Sequence, residues 1–468
     1  MYNSRYCYLL LLLFILSGTS CRKYVELEPQ GSVIPKTLED FKLLLNNNAV
    51  FNLSHGTTEF ATDDIAMQND NLIDGFEESS LAIYKWAELF YQPNEDDPEW
   101  NLFYKQIYTA NVVIKGVSEI KSGDEAQKQQ VIAAAKVHRA YAYFTLVNMY
   151  ARQYAVADAK TNLGVPLLTD PDYTQTLKRA TINEVYSLVL SDLEAGVAAL
   201  PPLPAAKNYT SKAAAYALLA RTYLQMGDYA SALANANLCL GLQSAVFDLN
   251  PYYTGPASWM DGFSLPLSQN NAEVIFIKSS FNGGEILPLS PELLNLLGTK
   301  DLRKHFFTYV APPSGDPNGL FDDPGTYHAY WAPFETQAGS VQVGPTVPEM
   351  MLIKAECLAR TLHGQDGLTI VNQLRKFRFR PVDYVALTAA NDNDALLLIL
   401  EERRRELFAK GFRLFDLKRL NADPKFAKTI IHPLKTQQLT LTPGSNRYVY
   451  PIPTKVINNN KGIEQNPR

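Results

Sequence analysis

Apolar residues recur every three or four positions over long stretches of this chain, which is the spacing of amphipathic helices. Between Trp100 and Ile120, Tyr104, Ile107, Tyr108 and Val112 share one helical face. Between Asp124 and Tyr150 the apolar face is formed by Val131, Ala134, Ala135, His138, Tyr141, Ala142 and Leu146. Start signals agree with this pattern. Thr37-Leu-Glu-Asp40 and Thr181-Ile-Asn-Glu184 each place an acid three residues after a threonine cap, the spacing of a capping box. The second opens a helix that ends near Pro201-Pro202, and Ser211 caps the next.

From there the spacing becomes more specific. Leu219, Ala220, Tyr223, Gly227, Tyr229 and Ala232 fit the tetratricopeptide pattern, in which small and aromatic residues interlock two antiparallel helices. Gly227-Asp228 supplies the turn, and the two alanines allow close approach. Pro348–Leu362 followed by Gly367–Arg375 is a looser copy, and 124–150 and 181–241 supply further pairs. The expected fold is mainly α, with tetratricopeptide-like helical repeats.

Two stretches break the pattern. Residues 53–80 are polar, with Asp63, Asp64, Asn69, Asp70, Asn71 and Asp74, and read as an irregular surface loop. Between about 245 and 345, Pro, Gly, Trp and Tyr accumulate around a strand-like Val274–Ile277. A loop-rich excursion of that length is usually functional or disordered, and its aromatic content argues against disorder.

The N-terminus adds an address. A short basic start, Met1–Arg5, precedes an apolar run from Tyr8 to Leu16 and small residues Ser17-Gly-Thr-Ser20. That is the layout of a secretory signal, and the run falls well short of the roughly 20 residues that span a bilayer. Cys21 directly after the small residues resembles a bacterial lipoprotein box. The resemblance implies a signal peptide at 1–20, acylation (palmitate-type) of Cys21 as the first mature residue, and a lipid-anchored tether at 21–35. The plainer alternative is an ordinary signal with a chance cysteine. A single domain then covers 36–468, with an N-terminal part at about 36–240 and a C-terminal part at about 245–468. Apolar residues make up 46% and charged residues 19%, enough for a large core, and the net charge of −5 with no basic stripe argues against nucleic acid as a partner. Cys239 and Cys357 sit in helical, alanine- and leucine-rich contexts and read as buried free thiols, a disulfide between them being the alternative.

The C-terminal third carries the clearest family signature. Ile399–Leu420 reads ILEERRRELFAKGFRLFDLKRL, and the chain closes with Tyr448-Val-Tyr-Pro-Ile-Pro453 and Gln465-Asn466-Pro467. Trp100-Asn-Leu-Phe-Tyr104, His138-Arg-Ala-Tyr-Ala-Tyr-Phe144, Gly164-Val-Pro-Leu167 and Lys354-Ala-Glu-Cys357 follow in the matching order. This ordered set resembles the SusD/RagB family of outer-membrane nutrient-binding lipoproteins over nearly the whole mature chain. The resemblance implies helical repeats on one side and a loop-rich, irregular ligand-binding side on the other. It also implies a SusC-like TonB-dependent transporter as partner, and an oligosaccharide ligand, or a peptide in one branch. The residues of the 400s helix have their own physical account: Glu401 and Arg405 are four apart and can pair, and Leu398, Leu400, Leu407 and Phe408 give an apolar side. That helix is therefore expected to be structural, as is Arg139.

No motif points to catalysis, a cofactor or a metal. HExxH, GxSxG, P-loop and GxGxxG patterns are absent. Asp63 and Asp64 are adjacent, whereas glycosidase carboxylates flank one bond from separate positions; they read as surface acids. Glu95–Glu99 reads as a solvated turn in preference to a calcium site. A sugar site needs flat aromatic faces with polar groups beside them. Of the four tryptophans, Trp100 lies in a core-helix pattern. Trp331, with Tyr327 and Tyr330, is the leading candidate for ligand contact, followed by Trp86, near Asn69, Asp70 and Asn71, and by Trp259. The alternative for each tryptophan is packing beneath a long loop, and a tetratricopeptide scaffold or a glycan-acting enzyme are the rival functions. Cys21→Ala is expected to move the protein from the membrane pellet to the soluble fraction on ultracentrifugation; unchanged pelleting would remove the lipoprotein reading.

Overall fold

The computed structural model describes residues 35–67, 70–172, 174–255, 265–280, 287–310, 328–330 and 341–468, with backbone alone at 70–72, 309–310 and 328–330. Cys21 and its tether up to residue 34 lie outside the described residues. Helices dominate. The N-terminal part contains α1 (Leu38–Leu45), α2 (Asn48–Phe51), α3 (Asp70–Gly75), α4 (Glu78–Tyr84), α5 (Pro98–Glu119), α6 (Glu125–Tyr150), α7 (Ile182–Ala199), α8 (Lys212–Met226) and α9 (Tyr229–Leu242). The C-terminal part adds α10 (Pro291–Leu297), α11 (Leu302–Phe307), α12 (Val347–Arg360), α13 (Gly364–Arg375), α14 (Asp392–Leu407), α15 (Arg413–Leu420) and α16 (Thr454–Asn459).

The caps expected from sequence form. Thr37 and Thr181 each close a reciprocal capping box, and Ser211 accepts from the Ala214 N–H. Such caps satisfy backbone donors that the helix itself leaves unpaired. Gly227 ends α8 in the left-handed region at φ 78°, where a Cβ is disfavoured, and Asp228 caps α9 at once. Ala220 and Ala232 are fully buried between these two helices. Each of α5 to α9 packs on its chain neighbour, and α9 packs on α12 across the whole 245–345 excursion. The helices α12, α13 and α14 continue the array. Cys239 and Cys357 are free, and both are buried in the core between α8, α9 and α12.

The largest core runs from Phe60 to Ile463, mixing both parts of the chain. The C-terminal signature is part of it. Tyr448, Tyr450 and Ile452 are buried, the Asn466 side chain donates to the carbonyls of Tyr150 and Tyr450 at 2.8 Å, and Gln465 bridges both backbone groups of Ile452. Strands are short and come in pairs: β1 (Leu53–Ser54) with β4 (Ser279–Ser280) in parallel, and antiparallel β2 (Leu163–Pro166) with β3 (Arg179–Thr181), β5 (Thr308–Val310) with β6 (His328–Tyr330), and β7 (Ile430–Leu434) with β8 (Gln437–Leu441).

Several local expectations change. Residues 53–80 are not a surface loop. They carry β1, a 3-10 turn (Thr57–Ala61) and parts of α3 and α4, and Asp63 and Asp64 are buried. Their partners lie some 340 residues further along, where no local pattern reaches. The acids before α5 are only partly solvated: Asp97 is buried as its cap, and buried Glu99 accepts from the N–H groups of Gly56 and Thr57. Val274–Ile277 is buried but forms a single bridge, Val274 to Thr346, instead of a strand.

α14 is structural, as its pattern implies. Glu401 and Arg405 come within 3.5 Å. Its buried side reaches further: Glu402 accepts from Arg303 and Arg375, each at 2.6 Å, and Glu406 accepts from Arg303 at 2.7 Å and Arg378 at 2.8 Å. Arg139 is likewise internal, paired through two nitrogens with Asp192 at 2.8 and 2.9 Å. Removing one partner of such a cluster strands the other charges away from water. Glu402→Ala is therefore expected to cost about 3–5 kcal/mol in urea unfolding, and an effect within experimental error would show that the network contributes nothing to stability.

Candidate functional site

The polar segment after β1 and the loop-rich excursion are stitched together by the backbone. Ile65 bridges Leu289, the Ala66 N–H donates to the Pro288 carbonyl at 3.0 Å, and the Ser290 N–H donates to the Asp64 carbonyl at 2.7 Å. The Ser290 hydroxyl donates to the Asp63 carbonyl and accepts from the Leu293 N–H, so one residue both seats the segment and caps α10. α11 follows, capped by Asp301, and leads directly into β5. The β5–β6 hairpin is in register with Thr308 opposite Tyr330.

Beneath this hairpin lies buried charge. Arg303, on α11, is 1% exposed and is held by Asp301, Glu402 and Glu406 at 2.6–2.7 Å. Arg378 links Glu406 to Glu273. Burial alone would raise the Glu406 carboxyl, but Arg378 and Arg303 outweigh it and hold it at about 2. The hollow among these groups, near Ser268 and Thr346, is about 40 Å³, room for a few waters and too small for a sugar ring.

A second cluster fixes the polar segment. Arg413 grips both Asp63 oxygens at 2.7 and 2.8 Å, Lys428 reaches Asp63 at 2.6 Å, and Arg404 reaches Asp64 at 2.7 Å. Burial pushes the Asp63 carboxyl up, yet Arg413 and Arg404 bring it well below its ordinary value; Asp64 stays raised by burial. Buried and ion-paired with arginines, these two acids are closed to a substrate and are not placed as an acid–base pair. Among the described residues, no group of His, Cys, Asp and Glu side chains is placed to hold a metal.

The ligand candidates fall as follows. Tyr330 stands on β6, and the backbone of Asp70 and Asn71 opens α3. Both elements are carried by the joined 63–67 and 287–307 segments. Tyr327, Trp331, Trp259 and Asn69 lie outside the described residues. Trp86 belongs to the core: it is 5% exposed, its indole N–H donates to the Ala61 carbonyl at 3.1 Å, and its ring stacks on His432 with centroids 4.2 Å apart. It also sits at φ 50°, unusual for a bulky residue and held by this packing. Its place next to a polar stretch in sequence gave no sign of this, because β7, which supplies His432, is more than 340 residues away.

Two family matches frame the chain. Residues 23–224 match the family described as "Starch-binding associating with outer membrane", and residues 348–468 match the SusD family. The chain belongs to the SusD/RagB family. A SusD-like protein of Formosa agariphila is 26% identical over 96% of this chain and 95% of its own. The fold is that of a SusD superfamily protein from Bacteroides thetaiotaomicron (TM-score 0.72, 21% identity, covering 92% of this chain and 100% of that one). It is also that of a laminarin-binding SusD-like protein (TM-score 0.63, 18% identity, covering 92% and 98%). The second match runs from α12 through α14 to residue 468, and residues 225–347, which include the loop-rich excursion, fall outside both matches.

Two buried acids in the polar segment, Glu59 and Asp64, each keep one oxygen without a partner among the described residues. Glu59 accepts from the Gly411 N–H through its other oxygen. Burial, with Asp64 and Asp63 nearby, pushes its carboxyl up to about 8, against the opposing Arg413 and the Gly411 N–H. The folded value lies above the ordinary 4.5, so the native state holds an extra proton between the two and stability falls as pH rises through that window. Glu59→Gln, which cannot ionise, is expected to flatten the urea midpoint between about pH 5 and 8; a wild-type slope retained in the variant would assign the titration elsewhere.

Proposed function

We propose that this SusD/RagB protein captures a glycan at the outer membrane and delivers it to a SusC-like TonB-dependent transporter, breaking no bond itself. The observation that carries the reading is the division of labour in the fold. A helical-repeat array forms one side, and the described parts of the 245–345 stretch are tied to the rest of the chain by Ile65–Leu289 pairing and by the Arg303 cluster. Loops on a rigid scaffold are the usual carriers of binding residues. The laminarin-binding neighbour of the same fold supports a glucan-type ligand. The outer-membrane association of the matched family supports the location, and Cys21 supplies the anchor in this reading. No helix among the described residues is long and apolar enough to cross a membrane.

On this proposal Trp331, with Tyr330 and Tyr327, stacks against sugar rings, and Trp259, Asn69, Asp70 and Asn71 line the approach. The ion pairing of Asp63 and Asp64 supports the reading that the protein breaks no bond. Calorimetry of residues 22–468 titrated with laminarin and starch oligosaccharides, beside a peptide panel, tests it. Saturable sugar binding without product formation is expected, weakened about ten-fold or more in Trp331→Ala, as loss of a stacked aromatic contact predicts. Peptide binding alone would move the ligand class, and released reducing ends would make the protein an enzyme.

A further inference from the structure

Part of the loop-rich excursion runs through the interior as a buried thread. Every residue from Val274 to Ser280 is buried, and the backbone is held by separate parts of the chain. The Ile277 N–H donates to the Lys207 carbonyl at 2.8 Å, the Ser279 N–H to the Asn52 carbonyl at 2.6 Å, and the Ser280 N–H to the Val341 carbonyl at 2.8 Å. The Val343 N–H returns a bond to the Lys278 carbonyl at 2.7 Å. The thread thus joins the excursion to the start of β1, to the loop before α8 and to the chain leading into α12.

At its centre is a lysine without a countercharge. Lys278 is 0% exposed. Its amine donates to the Phe51 carbonyl, stands 3.2 Å from His138 Nδ1, and lies 4.6 and 4.8 Å from the ring centroids of Tyr141 and Phe276. No carboxylate among the described residues pairs with it. Charged groups on the surrounding elements are engaged elsewhere. Glu349 of α12 holds Arg221 of α8, Glu273 holds Arg378, and the Lys207 amine donates to the Val274 carbonyl at 2.6 Å. His55 is bonded to the Ser54 hydroxyl and the Gly411 carbonyl. The Tyr141 phenol, bonded to Ser54 and pushed up to about 12 by burial, supplies no negative charge near neutrality.

A cation closed off from water and from any carboxylate favours its neutral form. Burial holds the Lys278 amine and the His138 imidazole well below their ordinary values of 10.5 and 6.5, and the charge of Lys278 adds to the effect at His138. A base with a depressed folded value leaves the native state short of a proton between that value and the ordinary one, so stability falls as pH drops through the window. The window opens downward from 10.5 for Lys278 and from 6.5 for His138. Below 6.5 the two demands coincide, and two cations this close in a dry site repel strongly. We propose that Lys278 and His138 form an acid-sensitive latch: proton uptake drives Lys278 out from between α2 and α6, frees the 274–280 thread and loosens the excursion from the helical array. A consequence for ligand release rests on the glycan-capture reading; the latch itself is tested without ligand.

Hydrogen-exchange mass spectrometry of the full-length chain in detergent, corrected for the intrinsic pH dependence of exchange, compares 274–280 with α13 between pH 8.5 and 5.5. Each proton taken up on opening multiplies the opening constant about ten-fold per pH unit. Wild-type protection at 274–280 is expected to fall about ten-fold or more between pH 8.5 and 6.5 and more steeply below, while α13 keeps its protection. Lys278→Met, apolar and of similar length, is expected to flatten the response above pH 6.5, and Lys278→Met/His138→Leu at every pH. Circular dichroism checks the fold. Should Lys278→Met not fold, His138→Leu is expected to keep the loss above pH 6.5 and remove the steeper part below. The latch is refuted if wild-type protection does not change with pH, if the variants keep the wild-type response, or if α13 loses protection in step, which would make the pair a determinant of global stability alone. Calorimetry with glycans at pH 7.5 separates the two readings: binding with a pH-insensitive thread leaves capture intact and removes the latch, and an acid-released thread without glycan binding does the reverse.

Discussion

Buried arginine–carboxylate pairing through α14 is the constraint on which the arrangement of this molecule depends. Residues 402–406, about one and a half turns near the C-terminus of that helix, send charged side chains inward to partners on separate elements. Glu402 and Glu406 hold Arg303 of α11, Glu402 also holds Arg375 of α13, Arg403 pairs with Asp416 of α15, and Arg404 reaches Asp64. Each charge has been taken from water, a cost that is met only when geometry is good and remaining hydrogen-bond capacity is filled. Arg303 meets that condition with Asp301, Glu402 and Glu406 all within 2.7 Å. A hydrophobic contact tolerates small shifts of one element over another. A planar guanidinium fitted to carboxylates on two elements does not.

That rigidity matters because the segments it fixes bear the ligand candidates. α11 leads without a break into β5, and the joined 63–67 and 287–290 segments lead into α3 and α10. The repeats supply a wall of small and aromatic contacts, while the arginine clusters supply the fixed points from which irregular chain departs. The division suits a protein that must vary what it binds without altering how it folds. It also accounts for the position of the family signature, which marks the hub and says little about the ligand.

The same clusters limit the chemistry available. Acids that stand side by side in sequence, Asp63 and Asp64, are drawn to different arginines and closed to solvent.

The sequence by itself determined the helices, their caps and the repeat turn. Those features rest on residues one to four positions apart, which a linear pattern records: Thr181 with Glu184, Glu401 with Arg405, Gly227 with Asp228. It also determined the family, because the ordered motifs of Trp100, Arg139, the 400s helix and Tyr448–Pro453 survive as text. Only the tertiary structure decided the fate of Asp63, Asp64, Glu59 and Trp86. Each stands in a polar stretch, and each is buried by groups from the other end of the chain: Arg404, Arg413, Gly411 and His432. Periodicity measures how a residue relates to its own helix or strand. Whether a charged or aromatic side chain is exposed depends on what arrives from elsewhere to cover it.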